Sequence, residues 1–317
     1  MKKHTNLILA AIFAVLLVLS TYSLWGLYVF PKTENSGVSE ITLGNTSLSD
    51  VDTIVISDTS SEKSFTKKDG AWNVNEFLAS ESELKKIFDS FSSREVQDLA
   101  SKNPNNHEKF GVAEGKSIVF AMEKKGEVLW KFLIGNPGKE PQTFYIRKGG
   151  SDNVYLAKGN LREILSRNVD AWRDKKIVEI DRNTIAKVIL EKGKDILTIE
   201  KSADGSTWAV SDGNQQKAFD GEKVQKFFDA LSPLEASGFL NEDQKKEFNE
   251  AKEGKITLQF LSQNEEKKVV IRLLEKDGSY FGNVEGSDTY YSIYTYALFD
   301  VLLDAGKIFA IPSPDSE

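Results

Sequence analysis

Histidine is the first residue type to examine for chemistry, because its side chain supplies general bases and metal ligands at neutral pH. The chain of 317 residues contains two histidines, His4 and His107. A Ser-His-Asp triad or a zinc site needs several partners held around an imidazole. His4 precedes an apolar stretch and His107 lies in the polar segment Asn103–Lys109. We therefore expect no histidine-based site, and we predict that His107 is a solvated loop residue.

The tetrapeptide Ser64-Phe65-Thr66-Lys67 fits the S-x-x-K pattern of penicillin-binding enzymes, in which the serine is a nucleophile. That chemistry requires the serine at the start of a helix, with S-D-N and K-T-G elements elsewhere. Here polar and apolar residues alternate just before an Asp-Gly turn, and no K-T-G element occurs. We interpret the tetrapeptide as part of a strand.

Other kinds of site also lack support in the sequence. The absence of cysteine removes disulfides, thiolate nucleophiles, cysteine-based zinc sites and a lipid-modified N-terminal cysteine. The Gly-Ser-Asp triplets at 150–152 and 286–288 lack the spacing of a calcium loop and are expected to be turns. There is no dinucleotide-binding glycine motif and no P-loop. Paired hydrolytic carboxylates remain open, since Asp and Glu total 48.

Three tryptophans are the best binding candidates, because exposed indole rings can stack against sugars. Trp72 and Trp208 occupy equivalent positions in two similar hairpins, so we expect them to pack between sheet and helix. Trp130 has no clear counterpart and is the more open candidate. From these observations we predict no catalytic residue, no cofactor-binding residue, no metal ligand and no cofactor, and hence a protein that is not an enzyme.

The N-terminal segment predicts how the chain is placed in the cell. Leu7–Phe30 contains no charged residue and is long enough, as a helix, to span a bilayer core of about 30 Å. Trp25 and Tyr28 fall near its far end, where aromatic rings favour the interface. Lys2-Lys3 precedes it, which predicts a cytoplasmic N-terminus and an extracytoplasmic remainder. A signal peptide cleaved after Ser20 is the alternative, but apolar residues continue beyond it and favour an uncleaved anchor.

The chain after the anchor carries a repeated pattern. Residues 31–50 are rich in Ser, Thr, Asn and Gly, which predicts a mostly extended spacer. Hairpins with Asp-Gly turns then end on Trp72 and Trp208, 136 residues apart. Amphipathic helices follow, with Phe88 and Phe228 140 residues apart. Alternating strands and a terminal helix close each half, so the spacing indicates one module used twice.

These patterns predict an α+β protein: an N-terminal transmembrane helix followed by two tandem homologous units, each a mainly antiparallel sheet packed with helices. The expected boundaries are 1–30 for the cytoplasmic tip and anchor, 31–50 for the linker, 51–175 and 176–311 for the two repeats, and 312–317 for the tail. The net charge of −7 argues against nucleic acid as a partner and against a broad electrostatic surface for anionic lipid.

Several motifs resemble those of the bacterial domain-of-unknown-function 4340 family. They are the Lys-Lys-Asp-Gly-x-Trp hairpin at 67–72, Asn103-Pro104 with Phe110-Gly111-Val112, the turn Leu133-Ile134-Gly135-Asn136, and the stretch Trp172-Arg173-Asp174-Lys175-Lys176. The second half departs from the pattern at Lys246-Glu247-Phe248, where the glycine after the phenylalanine is missing. The resemblance implies a membrane-tethered, extracytoplasmic protein without an established activity. Some members of the family resemble auxiliary components that are encoded beside ABC transporters.

The function that we expect is a non-enzymatic scaffold or accessory subunit of an envelope or ABC-transporter-type complex, held in the cell membrane by one helix. A periplasmic or cell-wall module that binds glycan or another ligand is the alternative. The partners expected are the membrane and possible transporter or envelope proteins.

Overall fold

The computed structural model describes residues 39–213, 215–217, 221–262, 268–298 and 301–302. The predicted anchor Leu7–Phe30, the position after Ser20 and the tail 312–317 lie outside these residues. Within the described part of the chain, no helix is both long and apolar enough to cross a membrane. The chain divides into two compact units, with the boundary between Trp172 and Arg173.

Unit 1 is a nine-stranded antiparallel sheet with helices packed on it. Its strands are β1 (Thr53–Ser57), β2 (Glu62–Lys68), β3 (Ala71–Val74), β4 (Phe77–Leu78), β5 (Glu95–Ser101), β6 (Ile118–Lys124), β7 (Glu127–Pro137), β8 (Thr143–Lys148) and β9 (Val154–Lys158). Its helices are α1 (Glu81–Ser93), α2 (His107–Phe110) and α3 (Leu161–Leu165), with short 3-10 turns at Ser39–Ile41, Leu48–Asp50, Pro104–Asn106 and Val169–Trp172. The strand order is β4-β3-β2-β1-β6-β7-β8-β9-β5.

The predicted hairpin at β2 and β3 illustrates why this sheet forms. Asp69 and Gly70 both have positive φ, which suits a two-residue hairpin turn. The alternation of the flanking strands buries Phe65, Trp72 and Val74 on one face. The hairpin therefore supplies one side of the core.

Helix α1 covers this face of the sheet. The hydroxyl of its N-cap Ser80 accepts a hydrogen bond from the backbone of Glu83, which satisfies one of the free donors at the helix start. Leu84, Ile87 and Phe91 follow at helical spacing and are buried. The rings of Phe91 and Phe132 on β7 lie 5.1 Å apart, so the helix packs directly on the middle of the sheet.

The segment predicted as a spacer, residues 31–50, is described from residue 39, and from there it is part of unit 1. Ile41, Leu43 and Leu48 are buried in the same core as the hairpin and α1. Burial of each such side chain contributes about 1.5–3 kcal/mol, which outweighs the preference of the neighbouring Ser, Gly and Asn residues for open loop. The prediction of an extended spacer is wrong for this part.

Unit 2 contains a second nine-stranded antiparallel sheet and a separate two-stranded ribbon. Its strands are β10 (Lys176–Val178), β11 (Ile185–Lys192), β12 (Asp195–Lys201), β13 (Trp208–Asp212), β14 (Gln215–Lys217), β15 (Leu234–Glu235), β16 (Gly238–Phe239), β17 (Lys255–Ser262), β18 (Lys268–Lys276), β19 (Ser279–Val284) and β20 (Tyr290–Tyr294). Its helices are α4 (Gly221–Asp229) and α5 (Glu242–Glu250), with a 3-10 turn at Thr295–Leu298. The large sheet has the order β14-β13-β12-β11-β17-β18-β19-β20-β16, and β10 pairs with β15.

The two units differ where the sequence lacks a glycine. In unit 1, α2 ends at Gly111, whose positive φ stops the helix after Phe110. In unit 2, Asn249 follows Phe248, and α5 continues to Glu250 after a capping box between Asn241 and Gln244. The expected difference of this loop is confirmed. The described chain as a whole is mostly antiparallel sheet with a few helices, so the α+β class is confirmed.

Candidate functional site

Two of the segments that carry the family resemblance meet in unit 1. Gly111 has a positive φ, and a side chain there would collide with Asn136, whose backbone nitrogen would lie 2.9 Å from an added Cβ. A Cβ on Gly135 would in turn collide with the carbonyl oxygen of Phe110. The Phe110-Gly111-Val112 segment and the Gly135-Asn136 turn therefore approach each other at a distance that only glycine permits. We call these two segments, with the side chains that bind them, the motif cluster.

Polar side chains hold the motif cluster together through backbone carbonyl groups. Arg147 is buried, and its Nε donates to the carbonyl oxygen of Val112 at 3.0 Å while Nη1 donates to that of Ser151 at 2.9 Å. Arg162 Nε donates to the carbonyl oxygen of Gly135 at 2.9 Å. Asn136 Nδ2 donates to that of Lys109 at 3.3 Å. Each of these side chains thus satisfies a main-chain acceptor of a loop.

This arrangement is suited to structure rather than to chemistry. A catalytic group must present a lone pair or a proton to a substrate, whereas these guanidinium and amide groups donate to main-chain oxygens within the protein. Near this cluster is a cavity of about 250 Å³ that includes Asp58, Asn136 and Arg162. Hydrogen bonds from Ser60, first its backbone and then its hydroxyl, lower the pKa of Asp58 and keep it ionised. It is the wrong state for a general acid at neutral pH.

A groove of about 530 Å³ in unit 1 lies beside α1. It is lined by residues 46–49, by Trp72, and by Lys85, Phe88 and Asp89 of α1. Lys85 is paired with Glu81 at 3.0 Å. A smaller groove of about 400 Å³ in unit 2 is lined in part by Phe228 and Asp229, at the end of α4. Neither groove could be predicted from the sequence, because each forms between segments that are distant in the chain.

The S-x-x-K hypothesis fails on position. Ser64 and Lys67 lie on β2, as predicted for a strand rather than a helix start. The triplet Ser151-Asp152-Asn153 matches the S-D-N element of penicillin-binding enzymes, but it lies in the turn between β8 and β9. Five strand spacings separate β2 from β9 in the sheet, which amounts to roughly 24 Å. The serine and this triplet cannot act on one substrate.

The histidine and triplet predictions can also be located. His107 begins α2, and its Nε2 lies 3.1 Å from the carbonyl oxygen of Asp152, so it contacts the turn rather than only solvent. The Gly-Ser-Asp triplets form the turns before β9 and β20, as expected. Among the described residues, no group of three or more His, Asp or Glu side chains is placed to hold a metal ion.

The tryptophans pack largely as predicted. Trp72 is buried, and Trp208 is half-buried against the core with its ring 4.8 Å from that of Phe228. Trp130 is half-buried: its ring stacks on Phe132 at 5.9 Å, and its Nε1 donates to the hydroxyl of Thr46 at 3.0 Å. The Nζ of Lys148 lies 5.2 Å from the centre of the same ring, so a phenyl ring and an ammonium group both already contact this tryptophan.

Two further features of the described residues carry no signal in the sequence. Tyr294 and Tyr296 stack at 5.4 Å and are 53% and 78% exposed, so they present aromatic surface to solvent. Arg94, just after α1, is buried, and its guanidinium group lies over the ring of Phe91. The Nε and Nη2 atoms of Arg94 have no hydrogen-bond partner. Burial lowers the pKa of Arg94 to about 10, so it stays charged at neutral pH. An arginine after an amphipathic helix gives no sign in the sequence that it will be buried.

Comparison with known proteins identifies the family. A family model described as Domain of unknown function (DUF4340) matches residues 72–253. No curated protein and no solved structure matches the chain. The matched range includes the Phe110-Gly111-Val112 and Gly135-Asn136 segments that form the motif cluster, and it covers more than half of the sequence. The chain therefore belongs to the DUF4340 family, as the motifs predicted.

Proposed function

We propose that this protein is a membrane-anchored, extracytoplasmic and non-enzymatic scaffold or accessory subunit of an envelope or ABC-transporter-type complex. The uncharged segment Leu7–Phe30 supports the anchor, and the lysines before it support a cytoplasmic N-terminus. The transporter context is what the family resemblance implies.

The observation that carries the proposal is how the motif cluster uses its side chains. Arg147, Arg162 and Asn136 donate to backbone carbonyls and so fix the loops at 109–112 and 135–136. Binding residues commonly lie on loops that a rigid scaffold holds in place. Loops whose shape is fixed in this way can present a constant surface to another macromolecule. We infer that the family motifs maintain a binding surface on unit 1.

The two units are, in this proposal, copies of one module. Each large sheet has the same order when β1–β4, β5 and β6–β9 are matched to β11–β14, β16 and β17–β20. A helix follows the fourth strand in both, and Phe88-Asp89 and Phe228-Asp229 line a groove in both. Duplication gives an accessory subunit two related surfaces for partners.

Co-purification from native membranes tests the scaffold role. The full chain is extracted in mild detergent after crosslinking and is isolated through a C-terminal tag. We expect membrane proteins, including a permease or an ATPase, to be recovered with it in fixed ratio. Recovery as a single free species, with and without crosslinking, would contradict the proposal.

The mass of the mature chain and its behaviour on alkaline extraction of membranes test the anchor separately. An uncleaved anchor retains residues 1–20 and stays in the pellet after alkaline extraction of membranes. A mature chain beginning at Thr21 would instead show that the N-terminal segment is a cleaved signal peptide.

A second candidate function is binding of cell-wall glycan, and the exposed pair Tyr294 and Tyr296 favours it. Aromatic faces open to solvent provide apolar surface against which a sugar ring can pack. The test is sedimentation of the full chain with purified cell-wall glycan. Tyr296→Ala is expected to reduce binding, whereas Leu78→Ala, at another exposed apolar side chain, is the control. Equal binding by both variants would remove this candidate.

A further inference from the structure

Residues 39–50 precede β1, and we call them the lead-in segment. This segment is fixed at one end of the sheet of unit 1. Glu40 accepts hydrogen bonds from Asn153 Nδ2 at 3.0 Å and from the Tyr155 hydroxyl at 2.6 Å, beside the turn between β8 and β9. Farther along, Thr46 accepts from Trp130 Nε1. The chain thus enters unit 1 next to the turns at 149–153 and 125–126. We call this end of the sheet, with those two turns, the proximal end.

A β-bulge at the proximal end exposes two neighbouring aliphatic side chains. Met122 lies opposite Trp130, but the next residue, Glu123, lies opposite Val128, so Leu129 is an extra residue in β7. In a regular strand, Val128 and Leu129 would point to opposite faces of the sheet. Here both are exposed, by 59% and 42%. The bulge therefore directs an apolar pair into solvent.

Exposed lysines accompany this pair. Lys124 and Lys125 precede it in the same turn, and both are exposed. Glu123 and Glu127 flank these lysines, so the tip has no strong net charge. A lysine stem packs along apolar surface while its ammonium group stays in water, as at a membrane interface. Aliphatic tips flanked by such lysines match the chemistry of a lipid interface better than that of an anionic ligand.

The distance to the predicted anchor limits where the proximal end can lie. Phe30 ends the uncharged segment, and Ser39 is the first residue of unit 1 that the structure describes. Nine residue steps span at most roughly 30 Å when fully extended. The part of unit 1 at Ser39 is therefore held within that distance of the outer interface, if the anchor spans the membrane as in the proposed function.

We propose that the proximal end of unit 1 rests on the lipid surface, with Val128 and Leu129 in contact with the outer interface of the bilayer. This inference rests on the proposed anchor and adds an orientation to it. The opposite end of the sheet, at the turn 58–61 between β1 and β2, then faces away. The six residue steps of β6 alone separate the two ends by roughly 20 Å.

Site-directed fluorescence on the full chain tests the orientation. The chain has no cysteine, so Val128→Cys and Thr59→Cys each give one labelling site, both at exposed positions. Each labelled chain is reconstituted into phosphatidylcholine vesicles containing lipids with a nitroxide near the headgroup. We expect the emission from position 128 to shift to the blue and to be quenched, and the emission from position 59 to do neither. Adding Leu129→Glu to Val128→Cys is expected to abolish the quenching.

The outcomes separate the inference from the proposed function. Failure of both chains to float with the vesicles would overturn the anchor itself. Flotation with equal, weak quenching at positions 128 and 59 would overturn only the orientation. A probe at position 128 that lipid nitroxide does not quench, but that native membranes shield from aqueous iodide, would assign the surface to a protein and also overturn the lipid contact.

Discussion

The Tyr155 hydroxyl donates a hydrogen bond of 2.6 Å to the carboxylate of Glu40, across 115 residues of sequence. Burial, followed by the bond to Glu40, raises the pKa of Tyr155 to about 12, so its phenol remains a donor throughout the neutral range. Burial alone would raise the pKa of Glu40, but hydrogen bonds from Asn153, Ser151 and Tyr155 outweigh it and lower that pKa. The two shifts agree that the bond favours an ionised acid and a protonated phenol.

This pair predicts a pH dependence of the attachment of the lead-in segment. Because the pKa of Glu40 is lower in the folded state than its ordinary 4.5, its contribution is present above pH 4.5 and is lost as the pH falls through the folded value. Glu40→Gln is expected to destabilise unit 1 by about 1 kcal/mol at neutral pH and by less under acid conditions. Urea unfolding at neutral pH and below pH 4.5 measures the difference, with exposed Glu140→Gln as the control. A pH-independent effect of Glu40→Gln would contradict the prediction.

The buried part of the lead-in segment predicts a larger effect. Ile41 is fully buried in the core of unit 1, so Ile41→Ala is expected to cost about 2–5 kcal/mol through lost burial and the cavity left behind. Asn45→Ala, at an exposed position four residues on, should stay within about 0.5 kcal/mol. Hydrogen exchange resolved by peptide will show the loss of protection in unit 1. Similar protection in both variants would mean that the segment is a loose spacer after all.

Alanine substitutions at two glycines distinguish the cost of backbone strain from the cost of disturbing close packing in the motif cluster. Gly111 and Gly115 have nearly the same positive φ, 70° and 73°, so an alanine at either position is strained by about 1–2 kcal/mol. An added Cβ meets Asn136 at Gly111 and nothing at Gly115. We therefore expect Gly111→Ala to destabilise unit 1 clearly more than Gly115→Ala in denaturant titrations. Equal losses would show that the two segments of the cluster are not in close contact.

Trp172 offers a test of core packing at the end of unit 1. It is fully buried, and its ring meets Phe65 edge-on at 5.5 Å. Trp172→Ala should cost about 3–5 kcal/mol. Trp172→Phe should cost less, because it keeps an aromatic ring and removes Nε1, a buried donor without a partner. Thermal unfolding of both variants checks the order, and a larger loss for phenylalanine than for alanine would refute it.

Local signals in the sequence predicted the elements of this fold well. The Asp69-Gly70 turn and the alternation of apolar and polar residues around Trp72 depend on residues that are adjacent in sequence. The hairpin can therefore be predicted without tertiary information. The helix that contains Leu84, Ile87 and Phe91 can be predicted for the same reason. The prediction of an extended spacer is wrong for residues 39–50 because Ile41, Leu43 and Leu48 follow neither a helical nor a strand period. Their burial is decided by the sheet beneath them.

The contacts of the motif cluster could not be predicted from sequence. Gly111 and Gly135 were recognised as parts of family motifs, but their contact follows from where α2 and β7 lie in the fold. Arg147 and Arg162 look like ordinary surface charges, and only their position shows that they bind loop carbonyls. Glu40 and Tyr155 are likewise linked only through the order of the strands.

The position of Trp172 has a consequence for the order in which the protein is made. The ribosome synthesises the sheet of unit 1 first and this tryptophan last, yet its indole completes the interior between Phe65 and the start of α1, where the Ser80 amide donates to the Trp172 carbonyl at 2.8 Å. A nascent chain stopped before residue 172 would have every strand of this sheet and an unfilled interior. Unit 1 can therefore reach its final packing only after its last residue has emerged, and any shortened form meant to fold alone must extend at least to Trp172.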